Sequence, residues 1–384
     1  MASPPVKRNL DLGCANQSGF EIERGCSMTV ATIDTSTFVK DTWDAFSWRM
    51  MSNFVSPWER DRLQERITDW SDWCSTWSEA AADHATRGDE AAAAGHGETA
   101  AAAYITAGLF YHWASFLFTH DAHQFRAALE KGEVAFAKAA PIAEHAMEIL
   151  NVPFEGTELR GYFRYPKGAS GRVPLIVLIP GADSNKEELY DHGAHILRRG
   201  VAVYCFDGPG HGLVSFDLKL RREYEGPISA VLDMLLTRKD VDAGRIALGG
   251  ISYGGQFAIR GAAFDERVKA VVSVSSWYTA AGRYPSQRPV SKLALIQYLG
   301  PDPMAVQNTM SLEGVAERVT VPVLQVYGGK DPASPIEQAQ RIAAEVKGPH
   351  TLKFYEDGVH VCNNLWYKSR PFVADWVADT LRSL

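Results

Sequence analysis

The sequence predicts an α/β fold, a mostly parallel sheet with helices on both faces, preceded by an all-helical segment. Three observations predict it. From about residue 150 onward short β-rich runs alternate with helical ones, the pattern of a parallel sheet built from strand–helix–strand units. Residues 175–179 and 201–206 are apolar throughout, as strands covered on both faces require. Between residues 37 and 145 no strand pattern occurs, while Trp70, Trp73, Cys74 and Trp77 recur at helical spacing.

Residues 1–36 mix Gly, Ser, Asn and Thr with few periodic apolar positions and read as a poorly ordered tail, within which Met28 is an alternative start. Residues 37–145 read as a helical domain. Its alanine-rich stretch, 91–103, is expected to be continuous helix, because alanine is the best helix former and Tyr104, Leu109, Trp113, Phe116 and Leu117 continue an apolar face. Residues 146–384 read as the catalytic α/β domain. There, 154–164 alternate like an edge strand or hairpin; 246–248, 270–274 and 323–327 repeat the buried-strand theme; 351–355 would be the last strand, followed by a helix over 371–381.

Composition narrows the function. The 384 residues are 22% charged with a formal net charge of −7, and the basic residues are scattered among more numerous acids, so a nucleic-acid binder is excluded. No apolar run approaches the ~20 residues that cross a bilayer, and no basic-plus-apolar leader is visible, so a soluble, cytoplasmic protein is expected. The cysteines, Cys14, Cys26, Cys74, Cys205 and Cys362, are odd in number and lack paired ligand spacing, which points to reduced thiols, no zinc and no cofactor.

The sharpest chemical signal is Gly250-Ile251-Ser252-Tyr253-Gly254-Gly255, directly after an apolar run and directly before a helical one. This is the nucleophile elbow G-x-S-x-G of the α/β-hydrolase fold in its required context. The strand turns into the helix so tightly that side chains at the flanking positions would collide; Gly250 and Gly254 supply the room. A serine hydroxyl needs a base to take its proton, and a carboxylate to hold that base. The order for this fold is Ser, Asp, His, and the chain complies. Asp331 follows the run 323–327 in a Gly-Gly-Lys-Asp-Pro turn, and His360 follows 351–355 in Glu-Asp-Gly-Val-His, so both leave the same sheet edge. Asp357 is the rival acid but lies only three residues before His360 and reads better as a brace for that loop. His350 sits at the wrong end of its strand, and His211, in Asp-Gly-Pro-Gly-His-Gly, reads as structural.

An oxyanion needs two backbone donors. The first is expected at Tyr253, just after the nucleophile, and the second at Ala182 in the loop after 175–179. That loop also fits a plain helix start with Ser184 as N-cap and Glu187 as its capping-box partner. Aromatics such as Phe110, Tyr111, Trp113 and Phe116 read chiefly as core, whereas Trp277 and Tyr278, with Tyr253, are candidates for lining a pocket for an aromatic or polyketide-like substrate.

These residues resemble a known group. Asp69-Trp70-Ser71-Asp72-Trp73-Cys74-Ser75-Thr76-Trp77-Ser78, the loop 181–188, Phe206-Asp207-Gly208-Pro209-Gly210, the elbow, and Asp357-Gly358-Val359-His360-Val361-Cys362-Asn363-Asn364 are similar to the α/β-hydrolases typified by dihydroxypseudooxynicotine hydrolase and to the fungal polyketide-shortening hydrolases. The resemblance implies that residues 37–145 form a lid, that the protein is a homodimer acting on a small molecule, and that a C–C bond next to a ketone is cleaved. It supports Ser252, Asp331 and His360. The substrate does not carry over: Ser275-Ser276-Trp277-Tyr278-Thr279 offers no carboxylate to match an assisting acid. A carboxylesterase, a lyase eliminating an acyl group such as acetate, and a non-catalytic binding protein are the alternatives.

Overall fold

The computed structural model describes residues 35–384, so the tail expected over 1–36 lies outside it but for its last two residues. Five helices come first: α1 (Phe38–Met51), α2 (Pro57–Arg66), α3 (Trp73–Ala93), α4 (Gly97–Ser115) and α5 (Ala122–Ala139). Ser56 and Glu59 cap α2 reciprocally, with Pro57 at its first position. The tryptophans are core. Trp70, Trp73 and Trp77 are buried and meet one another, Trp43 and Phe110 at centroid distances of 5.0–6.0 Å. Phe110, Trp113 and Phe116 join the same cluster, which continues into residues beneath the sheet.

The alanine-rich stretch departs from expectation. It is not one helix: α3 ends at Ala93, Gly95 takes φ +78°, and the amides of Gly95 and His96 turn back onto Ala92 and Ala91 before α4 begins. Glycine in the left-handed region closes a helix whatever the propensity of its neighbours.

The remaining elements are β1 (Met147–Ile149), β2 (Val152–Phe154), β3 (Thr157–Arg164), β4 (Val173–Ile179), α6 (Tyr190–Leu197), β5 (Ala202–Asp207), α7 (Glu225–Leu235), β6 (Val241–Ile251), α8 (Tyr253–Phe264), β7 (Val268–Val274), α9 (Pro289–Leu299), α10 (Pro303–Thr309), β8 (Val323–Gly328), α11 (Ile336–Glu345), β9 (His350–Tyr355) and α12 (Trp366–Arg382). The expected edge hairpin is β2–β3, turning at Glu155-Gly156. In the sheet, β1 and β3 are antiparallel at one edge, and β5-β4-β6-β7-β8-β9 run parallel after them. Consecutive strands β4 and β5 lie side by side, and the chain then crosses back to place β6 on the other side of β4. Ligands of open α/β sheets bind outside the strands' carboxyl ends at such a reversal, which is where the loops after β4 and β6 leave.

The buried strands read as predicted for a two-sided cover: every residue of β4 and β5 is buried. Helix α12 begins at Trp366, five residues before the expected start, and carries Pro371 inside it. No helix among the described residues is long and apolar enough to cross a membrane.

Candidate active site

Ser252 joins β6 to α8 with φ 57° and ψ −121°, a left-handed conformation that costs a non-glycine residue on the order of 1–3 kcal/mol. The glycines around it are what this turn requires. A Cβ on Gly250 would fall 2.1 Å from the carbonyl carbon of Gly254, and one on Gly254 would fall 2.0 Å from the Ile179 oxygen. The turn is tied to the sheet by the Ser252 amide, which donates to Val274 O at 2.8 Å.

Asp331 and His360 arrive from the neighbouring strand ends. After β8, the Asp331 side chain is fully buried, and its Oδ1 accepts from the amides of Ala333 (2.8 Å) and Ser334 (3.1 Å). Its Oδ2 lies 2.7 Å from His360 Nδ1. Burial pushes the carboxyl upward, but the imidazole and the two amides more than reverse this, holding it below the usual carboxylate range. A carboxylate only accepts, so the shared proton belongs on Nδ1, which leaves Nε2 free to act as a base. No hydrogen bond joins Ser252 Oγ to His360 among the described residues.

The rivals fall elsewhere. Asp357 is exposed and pairs with Lys330 at 2.6 Å. Its loop is braced by Asn364, which accepts from the Val359 amide and donates to Asp357 O. His350 opens β9 and contacts Gln325 at 2.6 Å. His211 is wholly buried against the Tyr224 hydroxyl at 2.8 Å, and burial pushes its pKa down to about 3.

The loop after β4 passes directly over the serine: a Cβ on Gly181 would sit 3.1 Å from Ser252 Cβ. This places buried Ala182 beside the elbow. The capping-box alternative is overturned. Ser184 and Glu187 start no helix, α6 begins only at Tyr190, the Ser184 hydroxyl bonds Glu188, and Glu187 accepts from the Tyr162 hydroxyl at 2.7 Å.

Of the two aromatic candidates the structure brings one to the site. Trp277 packs 4.8 Å from Tyr253 and 5.9 Å from the His360 ring, its indole N–H donating to Ala333 O at 2.6 Å. Tyr278 is turned toward α11, with its hydroxyl donating to Glu345 at 2.9 Å and its ring under the Arg341 guanidinium. Both residues lie in the loop past β7, where no regular period fixes which way successive side chains point.

Sequence reasoning missed three polar residues. Gln307 of α10 donates to the Tyr253 hydroxyl at 2.8 Å. Arg283 stacks 3.8 Å over the Trp277 ring. Arg49, buried on α1, reaches the loop after β4: it donates to both Glu188 carboxylate oxygens, at 2.5 and 2.6 Å, and to Asp183 Oδ1 at 2.9 Å. No local signal marks such partners, which lie 134 and 139 residues away.

Removing one member of a buried charge cluster strands the others, so Arg49→Ala is expected to cost about 3–5 kcal/mol of stability in urea unfolding. Burial pushes the Glu188 carboxyl up, and the charge and hydrogen bonds of Arg49 more than reverse it, leaving it well below the usual range. The wild-type contribution is therefore present above the ordinary carboxylate pKa of about 4.3 and is lost as pH falls through the depressed folded value. Without Arg49 burial is opposed only by the weaker contacts of His112, Ser184 and Asn53, the folded pKa of Glu188 rises, and the destabilisation should shrink as pH is lowered from about 8 to about 5. An acid-insensitive gap between the two proteins would contradict this account.

The family described as FrsA-like esterase matches residues 64–295, which include Ser252 and stop short of Asp331 and His360. The 2,6-dihydropseudooxynicotine hydrolase of Paenarthrobacter nicotinovorans is 27% identical over 328 residues, covering 84% of this chain and 87% of that one. The crystal structure of the 2,6-dihydroxy-pseudo-oxynicotine hydrolase superposes with a TM-score of 0.79 at 25% identity, over 88% of this chain and 96% of that one. The alpha/beta hydrolase xenA of Xenoacremonium sinensis is 34% identical over 220 residues, 54% of this chain and 52% of that one, so the chain spans about half the length of that fungal relative. A match over more than half of the sequence, a parallel sheet with its helices in the matching places and relatives named as hydrolases lead to one conclusion: this chain is an α/β hydrolase of the FrsA-like esterase family.

Proposed function

We propose that Ser252, His360 and Asp331 act as nucleophile, general base and orienting acid in hydrolysis at a carbonyl carbon of a small molecule. The observation that carries this reading is the Asp331–His360 pair, 2.7 Å apart, at the sheet edge where Ser252 stands on its strained turn. His360 Nε2 takes the Ser252 proton as the hydroxyl attacks; the hydroxyl–imidazole bond, not made in the free protein, forms as substrate closes the site. The oxyanion is received by the amides of Tyr253 and Ala182. The first belongs to the opening turn of α8, whose first N–H groups have no partner within the helix and whose dipole favours negative charge. His360 then gives that proton to the departing enolate, for C–C cleavage, or alkoxide, for an ester; water deprotonated by the same imidazole cleaves the acyl–Ser252 bond, releasing a carboxylic acid and returning the proton to the serine oxygen.

The reaction is proposed as cleavage of a C–C bond beside a ketone, the reading implied by the resemblance in sequence and supported by similarity across most of the chain to the 2,6-dihydropseudooxynicotine hydrolase. In this reading α1–α5 cover the serine, the covering lid is docked through Arg49, and the enzyme works as a homodimer. The second reading, a carboxylesterase, is favoured by the family description and by the absence of a carboxylate in the loop just after β7. An acyl-eliminating lyase is the third. Turnover of aryl 1,3-diketones against 4-nitrophenyl esters separates them: the proposal expects kcat/KM for the best diketone to exceed that for the best ester by about 10²-fold or more, since the site would hold groups tuned to the ketone transition state. The opposite order would make the protein an esterase.

A further inference from the structure

Arg283, in the loop between β7 and α9, is a half-buried guanidinium beside the candidate site. It stacks on the face of Trp277 at 3.8 Å, and Trp277 in turn lies 5.9 Å from the His360 ring. Its Nη1 donates to Ala333 O at 2.5 Å, while its buried Nε has no partner. Among the described residues no carboxylate lies within ion-pair distance of it. Of the buried arginines, Arg49, Arg260 and Arg370 each have one, in Glu188, Glu225 and Asp191; Arg164 has none but is wholly enclosed, whereas Arg283 is only half-buried. The acids nearest the site are already engaged: Asp331 by His360 and two amides, Asp183 by Arg49. Ala333, whose carbonyl Arg283 shares with the Trp277 indole, gives its own amide to Asp331, which sets Arg283 at the edge of the reacting centre.

Arginine stays charged at any working pH, and burying that charge without a counter-ion is unfavourable. A planar fork with a free N–H on the rim of a site is the geometry that receives a carboxylate. We propose that Arg283 is a specificity residue that binds a carboxylate carried by the substrate. The preferred substrates would then be keto or ester acids whose carboxylate lies a few bonds from the carbonyl attacked. The inference rests on the reading of Ser252 as nucleophile.

Two serine-reactive phosphonates of equal length test it, one ending in a carboxylate and the other in its methyl ester. The initial rate of Ser252 modification by each is followed by mass spectrometry in the wild type, Arg283→Gln and Arg283→Lys. The expected result is a rate for the carboxylate reagent about tenfold lower in Arg283→Gln, partial retention in Arg283→Lys, and rates for the methyl ester within about twofold throughout. A merely structural Arg283, holding Trp277 and the Asp331 loop, would slow both reagents alike, and equal losses overturn the assignment. Failure of both reagents to modify Ser252 in the wild type overturns the nucleophile reading itself.

Discussion

Ser252→Ala is expected to lower turnover by at least about 10⁴-fold while leaving the urea midpoint unchanged. The rate falls because the attacking atom is gone, whereas the fold is indifferent: the serine side chain makes no hydrogen bond that the β6–α8 turn needs, and the turn's tie to Val274 runs through the backbone. Residual catalysis should survive, since the amides of Tyr253 and Ala182 would still polarise a bound carbonyl for water. A fluorophosphonate should label the wild type on the peptide containing Ser252 and leave the variant unlabelled. Unchanged turnover in the variant, or label on another peptide, would sink the mechanism.

Asp331→Asn is expected to lower kcat by about 10⁴-fold, for a reason of atom placement. Oδ1 of Asp331 accepts from two amides, Ala333 and Ser334, so the carbonyl oxygen of an asparagine is drawn to that position. Its NH₂ group is then left facing His360 Nδ1. A donor facing that nitrogen makes it an acceptor and moves the ring proton to Nε2, where the imidazole cannot receive the serine proton. Asp357→Asn is the control, expected within about twofold of wild type because Asp357 is exposed and faces Lys330. Kinetics of the two variants decide the point, and similar losses in both would dissolve the distinction between the two acids.

Much of the site was legible because its signals are local. The elbow is a strand, a serine between glycines and a helix within about a dozen residues, and the steric demand on Gly250 and Gly254 is written in the motif. The order of Asp331 and His360 behind it followed from strand endings. The parallel sheet was legible for the same reason, since fully buried strands lose their alternation. What escaped depends on packing. The break at Gly95 was hidden by the helix propensity of the alanines around it, and α12 started early because the turn after His360 flows into it. The loop 181–188 has the composition of a capped helix start, but Arg49 and Tyr162 claim Glu188 and Glu187 from outside the segment. Tyr278 stood beside Trp277 in sequence and parted from it in space. Partners more than a hundred residues apart leave no trace in a single chain.

The left-handed residues at the sheet's rim have a consequence for how such a protein can be altered. Ser252, Ser275, Val361 and Cys362 all take positive φ, at 57°, 48°, 60° and 53°, and they are lashed together: the Val361 amide donates to Ser275 Oγ at 2.9 Å, and the Ser275 amide to Val326 O at 2.8 Å. A β-branched valine is the residue least suited to that conformation. Selection for heat tolerance would therefore find easy gains at Val361 and Cys362, with glycine or asparagine relaxing the main chain, and each gain would slacken the imidazole's anchorage one or two positions away. Resilience and turnover draw on the same few dihedral angles, so a laboratory lineage bred only for endurance should drift toward a sturdier, slower protein.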